Sequence, residues 1–163
     1  MPLTKPSPAL IPAPLRIDRY GNDPTFSERA DTLPLTTGSP FTFTSVISET
    51  VPDVRAGDVI DVWANCQVTS EHQYNVMAAS FIAIGTSSSD TTGEHVTEQT
   101  GQNFNSEEHH FIIQQFGRFE ATADMGTVHF NLVVYVASSA AASGDTIIVD
   151  QDYGRMIVTR YRG

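Results

Sequence analysis

Proline sets the first limit on this chain. All nine prolines lie at or before Pro52, and the 111 residues after it contain none. Proline fixes φ and has no amide hydrogen, so it is kept out of sheet interiors. The chain after Pro52 is therefore permissive for sheet, and the first forty residues are not. Five prolines fall within "MPLTKPSPALIPAPL" (1–15), among Leu3, Leu10, Ile11 and Leu15. That stretch is too proline-rich for a helix and too apolar for a solvent-facing tail. The pattern predicts a boundary near Ser39–Phe41, with an extended N-terminal arm over 1–40 and a folded domain over 41–163.

Past the boundary, apolar residues recur with period two. "FTFTSVISETV" (41–51) alternates Phe41 and Phe43 with Thr42 and Thr44. "DVIDVWANCQVT" (58–69) puts Ile60, Val62, Ala64, Cys66 and Val68 on one face. Val59, Asp61, Trp63, Asn65 and Gln67 take the other. "QYNVMAASFIAIG" (73–85) is apolar on both faces, as a central strand is. Further strands are expected over 109–121, 127–138, 145–154 and 155–162, and a weaker one over 94–100. Alternation rich in β-branched and aromatic residues marks half-buried strands. The breaks "RAGD", "ADMG" and "AASGD" carry turn chemistry. No ten-residue stretch after Phe41 shows a helical stripe. The fold class expected is all-β: an antiparallel β-sandwich of jelly-roll type, preceded by the proline-rich arm. The long polar insertion 85–110 reads as a surface loop with a short edge strand inside it.

Charge narrows the function. The net charge is −10, and from Ala56 to Gly154 the only Lys or Arg is Arg118, against thirteen Asp and Glu. Phosphate contacts need Lys and Arg, so nucleic acid is not an expected partner. No apolar run of ~18 residues suggests a membrane span, and no secretory signal is read at the N-terminus. The single cysteine, Cys66, allows no intrachain disulfide.

Catalytic and metal chemistry find little support. "SEEHHF" (106–111) gathers Glu107, Glu108, His109 and His110, yet adjacent histidines on a strand point to opposite faces. No H-x-H pair of the cupin kind is present. Asp90, Glu94, His95 and Glu98 lack the alternating oxygen ligands of a calcium loop. Cys66 sits between Ala64 and Val68 on an apolar face and reads as a small hydrophobe. No nucleophile elbow, phosphate loop or zinc-helix motif occurs. No cofactor is expected. Trp63 could pack a core, form a glycan platform or sit in a subunit interface.

"VPDVRAGDVIDVWANCQVTSEHQYNVMAASFIAIG" resembles the β-sandwich structural proteins of tailed bacteriophages: minor capsid, decoration and tail-associated types. "VVYVASSAAASGDTIIVDQDYGRMIVTRY", a strand, a small-residue loop and two closing strands, extends the resemblance to about half of the chain. The same motifs look like trimeric jelly-roll modules of the tumour-necrosis-factor and complement-C1q kind. The resemblance implies a non-enzymatic virion protein, made in the host cytoplasm and carried on the capsid exterior. It also implies a homo-oligomer, a trimer being favoured, that binds the major capsid protein through an extended arm. Leu3, Leu10, Ile11, Leu15 and Ile17 are then the expected partner-binding residues of the arm. Trp63, Arg160 and Arg162 are candidate surface-interaction residues, because the closing "RMIVTRYRG" carries +3 beside the acidic body. The alternatives are a tail-fibre or receptor-binding head that reads host glycans, and a cupin-like enzyme.

Overall fold

The computed structural model describes residues 16–21, 33–36, 42–70, 76–104, 110–136, 146–149 and 154–162. In chain order its strands are β1 (Arg16–Gly21), β2 (Leu33–Thr36), β3 (Thr44–Val54), β4 (Val59–Ser70), β5 (Val76–Gly85) and β6 (Glu94–His95). There follow β7 (Thr100–Phe104), β8 (His110–Glu120), β9 (Gly126–Val136), β10 (Thr146–Val149) and β11 (Arg155–Arg162). Among the described residues there is no helix.

Two antiparallel sheets make a sandwich. In the first, β4 pairs with β8 along one edge, and with β11 and β10 in tandem along the other. β1 lies outside β11, and β2 outside β10. In the second, β9 lies between β3 and β5, and β6 and β7 share the far edge of β5. Each tandem pair fills one strand position, so there are eight positions. Numbered along the chain, they read 1-8-3-6 in the first sheet and 2-7-4-5 in the second. That interleaving is the jelly roll expected from the sequence.

The core lies between the sheets, where the alternation predicts it. Ile60, Val62, Ala64, Cys66 and Val68 of β4 are buried, facing Val128, Phe130, Leu132, Val134 and Val136 of β9. Phe119 meets Phe130 edge to face at 6.2 Å. Along the β8 edge the sheets approach closely at Gly117. A Cβ there would lie 2.6 Å from Thr97 Cγ2 and 2.9 Å from Val96 Cγ1. Beside it, buried Gln115 donates to the Ser80 carbonyl and hydroxyl oxygens, both at 2.9 Å, and ties the sheets together.

The sandwich reaches back further than the boundary expected at residue 41. β1 and β2 lie within the span read as arm, yet both are strands of the first sheet. β1 contains no proline, and Pro34 does not exclude β2 because, among the described residues, β2 is an edge strand paired to β10, where a missing amide hydrogen is tolerated. Pro52 sits likewise on the edge strand β3, at a break in register between Val51 and Val54. Its neighbour Asp53 takes a positive φ of 53° there, a conformation Asp adopts more readily than most residues.

Candidate interaction surface

The two outer faces of the sandwich are finished differently. On the first sheet, burial of the even-numbered β4 residues turns Trp63 outward. Register sets Trp63 between Phe116 of β8 and Ile157 of β11 in one row across three strands. Phe116 is 65% exposed, Trp63 and Ile157 are half-buried, and Ile112, two pleat repeats along β8 and past Gln114, is 62% exposed. The next row holds Arg118 opposite Asp61. Arg118 Nε and Nη2 donate to the two carboxylate oxygens at 2.7 and 2.9 Å. That guanidinium holds the Asp61 carboxyl below its usual range. The row beyond runs from Glu120 through Val59 and Tyr161 to Ile17 of β1, which is 55% exposed. The face thus carries one apolar row, Phe116–Trp63–Ile157, with the Arg118–Asp61 pair on one side of it and the polar row Gln114–Asn65–Arg155 on the other.

The sequence placed Trp63 beside Asp61, Asn65 and Gln67, and the structure agrees. It did not place Phe116 and Ile157 beside Trp63. Those neighbours come from strands distant in the chain, and only register brings them together. The one local signal was the alternation in "FIIQQF", which puts Ile112, Gln114 and Phe116 on one face.

The outer face of the second sheet carries its apolar side chains side by side, and they are covered. Ala79, Phe81, Ala83, Val133 and Tyr135 form a second buried cluster there. His95 stacks on Phe81 with ring centroids 4.0 Å apart, and Phe43 packs edge-on against Tyr135 at 4.8 Å. Tyr135 donates its hydroxyl proton to Gln99 Oε1 at 2.9 Å. The segment after β5 is pinned across this face. Asn131 Nδ2 donates to the carbonyls of Ser87 and Asp90, at 3.0 and 2.8 Å, and the Ser45 hydroxyl donates to that of Ser88. Asp90 shapes the segment by accepting from the amides of Thr86 and Thr92, which hold its carboxyl low.

Arg160 and Arg162 turn to their own chain. Arg160 is 3% exposed and donates from Nη2 to Asp18 Oδ2 at 2.6 Å and from Nη1 to the Pro52 carbonyl at 2.6 Å. Its guanidinium also lies over the Tyr20 ring, 5.2 Å from the centroid. Arg162 grips both oxygens of buried Asp58 at 3.0 Å and reaches Asp53. Arg55 pairs with Asp53 through two bonds of 3.0 Å. The result is an intramolecular clamp joining β1, the β3–β4 corner and β11. Positive charge holds the carboxyls of Asp18, Asp53 and Asp58 below their usual range. A cleft of about 290 Å³ opens beside the clamp, lined by Arg55, Ala56, Gly57, Asp58 and Arg162. Arg160 and Arg162 of the closing segment thus meet the chain's own carboxylates, because β11 runs between β4 and β1.

Ile17 lies in β1, and Leu3, Leu10, Ile11 and Leu15 lie outside the described residues. So do Glu107, Glu108 and His109. The His110 ring shares hydrogen bonds with Thr69 Oγ1 at 2.9 Å and Gln67 Nε2 at 3.2 Å. Among the described residues, no three His, Cys, Asp or Glu side chains gather in a way that could hold a metal ion. Cys66 is buried.

No family model matches the chain, and no curated protein does. Solved structures do match. VP2 of infectious bursal disease virus, in its D431N form in derived T=1 particles, aligns over 98% of this chain with a TM-score of 0.54 and 11% identity. The Gx strain of the same virus gives 0.49 at 9% identity over 99% of the chain. The chain spans about a third of the first VP2 chain, 36%, and 42% of the second. At 11% identity the likeness speaks for the fold.

Proposed function

We propose that this chain is a non-enzymatic structural protein of a virion. In its finer form it is a phage decoration protein that coats the outer surface of the head as a homo-oligomer, with the N-terminal arm as its holding element. The observation that carries this reading is the match to VP2 in T=1 particles over nearly the whole chain, by a complete jelly roll. The resemblance of "VPDVRAGDVIDVWANCQV" and the closing strands to phage sandwich proteins supports the phage form. An acidic exterior supports a body that stays apart from its neighbours until specific contacts form.

The test is sedimentation with purified heads lacking the protein. The full chain is expected to sediment with them. A chain lacking residues 1–14 is expected to stay in the supernatant while its circular dichroism still shows a folded β-sandwich. The deletion stops short of Arg16 because β1 starts there. Equal binding by the shortened chain would overturn the role of the arm. Failure of the full chain to bind would overturn the decoration reading.

A further inference from the structure

We propose that the open outer face of the first sheet receives residues 1–15 of a second copy of this chain. The inference goes beyond the decoration reading, because it holds for the protein alone in solution. Two halves of one contact are present in the molecule. One is the row Phe116–Trp63–Ile157, in which Phe116 is exposed and Trp63 and Ile157 are half-buried. The other is "MPLTKPSPALIPAPL", with five prolines among Leu3, Leu10, Ile11 and Leu15. Proline-rich segments favour an extended conformation and lose little entropy on docking. Aromatic-lined surfaces are what such segments dock on, ring against ring.

Strand direction decides which copy is reached. β1 runs from Arg16, opposite Arg162, to Gly21, opposite Ile157. The aromatic row is level with the end of β1, so the chain before Arg16 leaves the sheet in the direction away from that row. Covering its own row would take a reversal just before Arg16, in "PAPL". Pro12 and Pro14 fix their own φ and bias Ile11 and Ala13 away from helical backbone, which narrows the turns open to that stretch. An extended fifteen-residue segment reaches about 46 Å, beyond the sandwich end and across a neighbour's sheet. The strands to be crossed lie only ~5 Å apart.

The experiment uses full-length chains. Ile11→Cys and Phe116→Cys variants carry different tags and are mixed under mild oxidation. Cys66 is buried and stays out of the reaction. The expected product is a mixed disulfide dimer of the two variants, in excess of either homodimer and lost on reduction. In the double variant, covalent ladders are expected. A double variant that closes only on itself would overturn the proposal in favour of an arm folded on its own face, and absence of the mixed dimer would overturn it outright. A second readout needs no cysteine. Trp63 is the sole tryptophan, and Ile11→Asp is expected to shift its emission to the red. The same substitution is expected to weaken self-association at least tenfold by light scattering. Unchanged emission and mass would count against the proposal. Cross-linking in solution without binding to heads would sink the decoration reading and leave this one standing.

Discussion

The outer faces of the two sheets each carry large apolar side chains, and those side chains meet different fates. On the second sheet, Phe81, Val133 and Tyr135 are roofed by residues of the same chain, held by Asn131, Ser45 and His95. On the first, Phe116, Ile112 and Ile17 are exposed at separate places on the face and Trp63 is half-buried. The difference lies in the connections. The insertion between β5 and β8 is long enough to return across the face it left. The turn between β3 and β4 is short and ends in the Arg162–Asp58 clamp, so it supplies no cover. A face completed within the chain serves stability. A face left apolar and open is free to serve assembly, because burying it stabilises only a contact with something else.

Truncating one ring on each face breaks the comparison most directly. Phe81→Ala removes a buried ring and should cost about 3–5 kcal/mol in chemical denaturation. Phe116→Ala should stay within about 0.5 kcal/mol for the monomer. Similar losses at both positions would mean that the first face is covered after all. A smaller effect follows from the roof itself. Asn131→Ala removes two hydrogen bonds to the backbone of 87–90 and should cost about 1–2 kcal/mol. Faster amide exchange over 86–92, with no change at β4, would locate the loss on the covered face.

Acid offers the finest separation. The folded-state pKa values of Asp18 and Asp58 lie below the ordinary 3.8, with Arg160 and Arg162 as the leading causes. Their contribution to stability is therefore present above pH 3.8 and lost as pH falls through the lowered values. Melting temperature should drop across that window. Asp58→Asn should flatten the drop, and exchange at low pH should rise first in β1 and β11. Asp90, also held low, gives the covered face its own acid response, and Asp90→Asn should leave β1 unaffected. An unaltered slope in Asp58→Asn would remove the clamp from the account.

Much of the fold was legible because a strand writes its burial locally. The alternation in "IDVWANCQV" foretold five buried side chains on β4, and all five are buried. The two-sided apolarity of "FIAI" foretold an interior strand, and β5 does lie between β9 and the β6–β7 pair. β1 was not legible. Its inward residues are Asp18 and Tyr20, and Asp18 is satisfied by Arg160, 142 positions away. A strand whose inner face is completed by a distant charge looks like loop until its partner is in place. The same distance hid the aromatic row, of which only Trp63 could be singled out.

The sequence by itself determined where strands can form, which residues turn inward, and that prolines confine the regular sheet to edges and to the chain after Pro52. Those are consequences of sterics between near neighbours, and near neighbours are what a sequence displays. Only the tertiary structure decided that the closing arginines bind their own chain and that one apolar face is roofed while its counterpart stays open. Both depend on which strands lie side by side, and that is set by the pairing of segments far apart in the chain.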